Sequence, residues 1–114
     1  MQRVQEAINN LKPIHPEAKI EISGGINRPP LETSATQSLY ELAVKVAKDL
    51  GQPPLGSASV GGASDGNFAG MHTQVLDGLG AVGNGAHAAH EHVLASYLEP
   101  RSELLAALVK EIIK

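Results

Sequence analysis

The residues best suited to chemistry lie in the glycine-rich stretch 75–93, where glycines at positions 78, 80, 83 and 85 precede His87. Glycine lacks a side chain, so the backbone can bend tightly there or approach a ligand closely. Neutral imidazole is a common zinc ligand. The pattern therefore predicts a loop that presents His87 to a metal ion, with Glu91 placed to support the imidazole.

Two more histidines follow, His90 and His92. With spacings of three and two residues, the three imidazoles do not all project from one side of a helix or a strand. We expect one or two of them at most to reach the same ion. His15 and His72 stand outside the glycine-rich stretch and are typical of structural or surface histidines.

A second candidate region combines Arg28 with the loop 61–67, whose sequence is GGASDGN. Arg28 precedes Pro29 and Pro30, which make a stiff connector. A guanidinium there can grip a carboxylate through two parallel hydrogen bonds, although a hinge or solvent-exposed arginine is an equally good interpretation. The loop has Ser64 or Asp65 as a helix cap, which favours backbone N–H groups that face a ligand.

Two other kinds of site are disfavoured. Residues 78–83 match the G-x-G-x-x-G pattern of dinucleotide-binding proteins, but no second strand with an acidic end follows about twenty residues later. A tight glycine bend explains these residues better. Nucleophilic catalysis by Ser59 or Ser64 would need a G-x-S-x-G elbow, which the sequence lacks.

Hydrophobic periodicity predicts the elements that must position these residues. The helices are expected at 2–11, 33–50 and 100–114, with a short one after the 61–67 loop, and the strands at 18–23, 55–60 and 74–77. From residue 33 onward the alternation of helix and strand is typical of an α/β layered domain with ligands at the carboxyl ends of the strands. The first helix and strand lack sheet neighbours, which we expect from another chain or from sequence outside this one.

Bulk composition narrows the class of protein. The chain has 114 residues, enough for one compact domain, and a formal net charge of −3 without a basic cluster, so we expect no nucleic-acid partner. It has no cysteine, no leader pattern and no apolar run of membrane length. We therefore expect a soluble cytoplasmic protein, without a membrane partner, that binds a small molecule or a protein.

Three motifs in order, at 24–32, 61–67 and 78–87, resemble one family over nearly the whole chain. It is the family of dizinc metallopeptidases that includes glutamate carboxypeptidase, acetylornithine deacetylase, succinyl-diaminopimelate desuccinylase and aminoacylase. The sequence GGINRPP at 24–30 is most similar to the glutamate carboxypeptidase branch.

The resemblance implies an α/β fold in which residues 28–114 form the C-terminal half of a zinc-peptidase-like layered catalytic domain. Residues 1–27 would be the last helix and strand of a ferredoxin-like lid domain, a domain that often mediates dimerisation. On this interpretation the chain is a C-terminal fragment whose partners are a missing N-terminal segment and a second copy in a homodimer.

The resemblance also implies a role for each candidate residue. His87 would bind one of two zinc ions and Glu91 would support its loop, while the carboxylate of the substrate would contact Arg28, Gly61, Gly62 and Ser64. The activity would be hydrolysis of an amide bond next to a free carboxylate, in a peptide or an N-acyl amino acid, and no catalytic residue lies in this chain. A catalytic zinc takes three protein ligands, so we expect the isolated chain to be inactive. The alternative is a non-catalytic assembly domain.

Overall fold

The computed structural model describes residues 2–114, and its secondary structure within that range is mainly helical. The helices are α1 (Gln2–Asn9), α2 (Gln37–Asp49), α3 (Gly66–Ala69) and α4 (Leu98–Ile112), and the strands are β1 (Gly83–Asn84) and β2 (His92–Val93). Short 3-10 turns at Thr33–Ala35 and Ala95–Tyr97 precede α2 and α4. The strands pair antiparallel, with Gly83 opposite Val93 and Asn84 opposite His92.

The core lies between α2 and α4. Its buried apolar residues are Ala43, Val46 and Ala47 from α2 and Leu104 and Leu108 from α4. Spacings of three and four residues place these side chains on one face of each helix, which is why the two helices pack against each other. The apolar stripes in the sequence thus predicted both helices correctly.

The ends of the helices follow local chemistry. Gly51 has a φ of +69°, and the amides of Gly51 and Gln52 donate to the carbonyls of Lys48 and Ala47, which closes the last turn of α2. Thr33 and Ser34 lie in the 3-10 turn before α2, and no side-chain hydrogen bond caps the helix. Pro100 lies in the first turn of α4, where the amide hydrogen that proline lacks would have no partner within the helix.

None of the three predicted strands is a strand here. Within residues 2–114 the β1–β2 pair is the whole sheet, while residues 18–23, 55–60 and 74–77 have no ladder partner. The backbone of 74–77 makes one bond to another part of the chain, from the amide of Val75 to the carbonyl of Ala35 at 2.8 Å. A strand needs a hydrogen-bonded neighbour, so the three strand predictions fail for this structure. The layered α/β fold with its division at residue 28 stays a prediction.

The molecule is elongated and exposes much apolar surface. Its radius of gyration is 19.9 Å, whereas a compact domain of this length has one of about 13 Å. Its accessible surface is 9166 Å², whereas a compact monomer of this mass exposes about 5,900 Å². Helix α1 has no buried residue, and on the outer side of α4 the residues Leu105 and Val109 are about half exposed. No helix among residues 2–114 is both long and apolar enough to span a bilayer.

Candidate functional site

Arg28 is half-buried at the start of the connector between the N-terminal segment and α2. Its Nη1 donates a hydrogen bond of 3.1 Å to the carbonyl oxygen of Ser64. The guanidinium carbon lies 4.4 Å from the centroid of the Phe68 ring. The structure therefore brings together two residues that the sequence had placed in one carboxylate site, although 36 positions separate Arg28 from Ser64.

A hydrogen-bond network fixes the loop around Ser64. The Ser64 amide donates to Oδ1 of Asn67 at 2.9 Å, and the Ser64 hydroxyl donates to Oδ2 of Asp77 at 2.6 Å. The same hydroxyl accepts a bond of 3.1 Å from the amide of Gly66. The Ser64 carbonyl oxygen also accepts a bond of 3.2 Å from the amide of Asn67. Every polar group of Ser64 is thus engaged, which holds the loop in one shape.

Gly61 and Gly62 stand at the start of this loop and are exposed. A Cβ added at either position would meet no atom within 4 Å. They leave open space beside Ser64, so a ligand could approach the backbone there without a steric barrier. Their role in binding a carboxylate stays a prediction.

His87 lies in the loop of the β1–β2 hairpin and is exposed. Its φ of +65° makes it the single non-glycine residue with positive φ among residues 2–114. Gly83 lets the two strands approach, because a Cβ there would overlap the carbonyl oxygen of His92. The predicted presentation of His87 by glycines is consistent with this local geometry, while the hairpin itself was not predicted.

The other residues of the hairpin loop make local contacts. The amide of Glu91 donates to the carbonyl of Ala88 at 3.0 Å, and within residues 2–114 no hydrogen bond joins its carboxylate to the His87 imidazole. The ring of His90 packs close to Gly85, where an added Cβ would lie 2.7 Å from it. Nδ1 of His92 lies 3.0 Å from the carbonyl oxygen of His90. The three imidazoles thus have separate surroundings, and convergence of all three on one ion was not expected.

Three residues of the region were not singled out by the sequence. Asn67 and Phe68 contact the connector at Pro29 and Arg28, and Asp77 joins the Ser64 loop to the glycine-rich stretch. The second carboxylate oxygen of Asp77 accepts a bond of 2.8 Å from the amide of Gly78. An acidic residue directly before the glycines was the one available signal for Asp77, whereas the partners of Asn67 and Phe68 are remote in sequence.

Residues 4–111 match the family model of peptidase family M20/M25/M40. The chain belongs to this family. No curated protein and no solved structure matches it. Membership in the peptidase family agrees with the resemblance that the three motifs suggested. It places the protein among hydrolases of the metallopeptidase type.

M20 peptidases use zinc, so the donor set of this chain can be tested against such a site. Among residues 2–114 no three His, Cys, Asp or Glu residues come together as a metal site. His87 contributes a single exposed imidazole, whereas a catalytic zinc takes three protein ligands and a water. The residues described here therefore do not fit a complete zinc site.

Proposed function

We propose that this chain supplies the substrate-carboxylate site and one metal ligand of a zinc-dependent M20 hydrolase. The reaction is cleavage of an amide bond next to a free carboxylate, and the substrates are peptides or N-acyl amino acids, as in the glutamate carboxypeptidase branch. The observation that supports this most strongly is the half-buried Arg28, which is held on two sides and has no anionic partner among residues 2–114. We also place the protein in the cytoplasm, where a chain without cysteine loses nothing to the reducing conditions.

Arg28 has N–H donors that are available to a ligand. A guanidinium carries five N–H donors and stays charged at any ordinary pH, and one of these donors is used by Ser64. No buried side-chain nitrogen in residues 2–114 lacks a hydrogen-bond partner, so the free donors of Arg28 reach solvent. The ion pairs described in the structure are Lys45–Asp49 and Lys114–Glu111, and neither includes Arg28. A carboxylate that enters beside Gly61 and Gly62 would meet a positioned, uncompensated cation.

The other ligands of the proposed zinc site would come from residues outside this chain. His87 is proposed as one ligand, and an N-terminal segment or a second copy would provide the others. The exposed apolar surface of α1 supports such a partner, because that surface is otherwise left in water. The isolated chain would then bind carboxylates but hydrolyse nothing.

The carboxylate site can be tested on the chain alone by NMR. We expect N-acetylglutamate to shift the Nε–Hε signal of Arg28 in a saturable titration, and its neutral diamide to leave that signal unchanged. Arg28→Ala should abolish saturable shifts at the Ser64 amide, whereas Arg101→Ala, a half-buried arginine on α4, should retain them. Equal binding by both variants, or no binding by the unmodified chain, would contradict the proposed carboxylate site.

The large accessible surface of the chain favours a second candidate function, that of a non-catalytic assembly domain. The accessible surface exceeds that of a compact monomer by about half. Exposed apolar surface of this kind favours association with another protein. Sedimentation over a range of concentrations measures this association. A tight dimer that binds no carboxylate probe supports the assembly function, whereas a carboxylate-binding chain of any oligomeric state supports the hydrolase.

A further inference from the structure

We infer that Asn67 and Phe68, at the start of α3, are positioning residues that aim the Arg28 guanidinium at a substrate carboxylate. This inference rests on the carboxylate site proposed above and adds the residues that set its geometry. Neither side chain needs to touch the substrate. Both act through the connector that carries Arg28.

Phe68 supports one face of the guanidinium. The guanidinium carbon lies 4.4 Å from the ring centroid, within the range of a cation–π interaction. Phe68 is the single phenylalanine of the chain, and 39% of it is exposed. An arginine stacked on an aromatic face keeps the edges of its guanidinium, where the N–H donors lie, open to a carboxylate, and the position of the cation over the ring suits this arrangement.

Asn67 fixes the backbone on both sides of the site. It is the single buried polar residue among residues 2–114, with 8% of its surface exposed. Its Nδ2 donates to the carbonyl of Pro29 at 2.9 Å, while its Oδ1 accepts from the amide of Ser64 at 2.9 Å. One amide side chain thus ties the residue after Arg28 to the residue whose carbonyl Arg28 contacts.

The close approach of α3 to the connector is built into the sequence. A Cβ on Gly70 would lie 2.5 Å from Cδ1 of Leu31, so a larger residue there would force the Leu31 side chain to move. The Arg28 guanidinium is therefore held by the Phe68 ring and by the bond from Nη1, and the backbone beside it is held at the carbonyl of Pro29. A side chain with its rotamers fixed in advance loses less entropy when it binds a ligand.

Substitutions at Phe68 separate the role of the ring from that of bulk. Phe68→Leu keeps an apolar side chain but removes the π face, and Phe68→Tyr keeps the ring at a position that is 39% exposed. We expect Phe68→Leu to bind N-acetylglutamate about two- to tenfold more weakly and to lose the upfield ring-current shift of the Arg28 side-chain signals. Phe68→Tyr should match the unmodified chain in both measurements.

Asn67→Asp is the second variant, since it preserves shape but replaces the donor to Pro29 with a carboxylate oxygen. This variant should also bind N-acetylglutamate more weakly. Asn10→Asp, which adds the same charge on an exposed residue, should bind it as the unmodified chain does. Amide signals of α2 and α4 report whether each variant keeps the core.

The outcomes distinguish this inference from the function on which it rests. Unchanged affinity in Phe68→Leu, or an equal loss in Phe68→Tyr, overturns the positioning role. If the unmodified chain fails to bind the probe, the carboxylate site is wrong. In that case a ring-current shift that is lost only in Phe68→Leu still shows that Phe68 holds Arg28, and its absence in the unmodified chain overturns the inference as well.

Discussion

Replacement of Leu104 by alanine tests where the stability of this chain resides. Leu104 is completely buried between α2 and α4, against a core whose other members are Ala43, Val46, Ala47 and Leu108. Leucine-to-alanine changes in cores cost about 2–5 kcal/mol, with the smaller losses where neighbours can close over the cavity. Two helices with small residues at their contact can close readily, so we expect a loss of about 2–3 kcal/mol.

The loss is large relative to the total. Small domains are stable by about 5–15 kcal/mol, and a core of five buried apolar residues places this chain at the low end. Leu104→Ala should therefore remove close to half of the free energy of unfolding. Urea unfolding, followed by the helical circular dichroism signal, measures the change as a lower midpoint with an unchanged slope.

Leu105 provides the matched control, because it is adjacent on the same helix and 50% exposed. Full burial of a leucine contributes about 1.5–3 kcal/mol, so Leu105→Ala should cost about 1 kcal/mol or less. Equal losses in the two variants would refute the placement of the core on one face of α4. Such a result, if it depended on protein concentration, would show that another molecule covers the outer face of that helix.

Three further predictions concern the hairpin and the surface. Gly83→Ala should break the β1–β2 pairing, seen as faster amide exchange in the hairpin, because a Cβ has no room there, while Gly80→Ala, in open space, should not. His87→Val should destabilise the hairpin by about 1–2 kcal/mol in the same exchange measurement, because a β-branched residue tolerates positive φ poorly, and His87→Asn should leave it unchanged. The hydrogen bond and charge of Asp49 raise the pKa of Lys45. This pair therefore stabilises the folded chain at neutral pH, and the stabilisation is lost as the pH rises through the raised pKa. An NMR titration of Nζ in the unmodified chain and in Asp49→Asn measures the shift of the pKa.

The helices were predictable because their information is local. The apolar residues of α2 and α4 recur at helical spacing, and Gly51 ends α2 where the sequence indicated. Alternation at 18–23 also gave a clear pattern, yet a strand exists only when another segment donates to it and accepts from it. That partner is a property of the whole assembly, so periodicity within one segment could not supply it.

The site was predictable in part for a related reason. Arg28 and Ser64 were placed together through the motifs around them, and the structure joins them by a hydrogen bond. Asn67 was overlooked because its significance depends on Pro29, 38 positions earlier in the chain. Phe68 was overlooked because the sequence does not distinguish a single aromatic residue that packs in the core from one that contacts a cation.

The two parts of the proposed site meet at Asp77, which gives the arrangement a physical logic. Its carboxylate accepts from the Ser64 hydroxyl on one side and from the Gly78 amide on the other. The loop that contacts Arg28 is thereby tied to the start of the glycine-rich stretch that leads to His87. His87 in turn keeps a positive φ that costs conformational energy, and such strain persists where the surrounding structure imposes it. The proposed function accounts for this connection, because the carboxylate site at Arg28 and the metal ligand at His87 would act on one substrate.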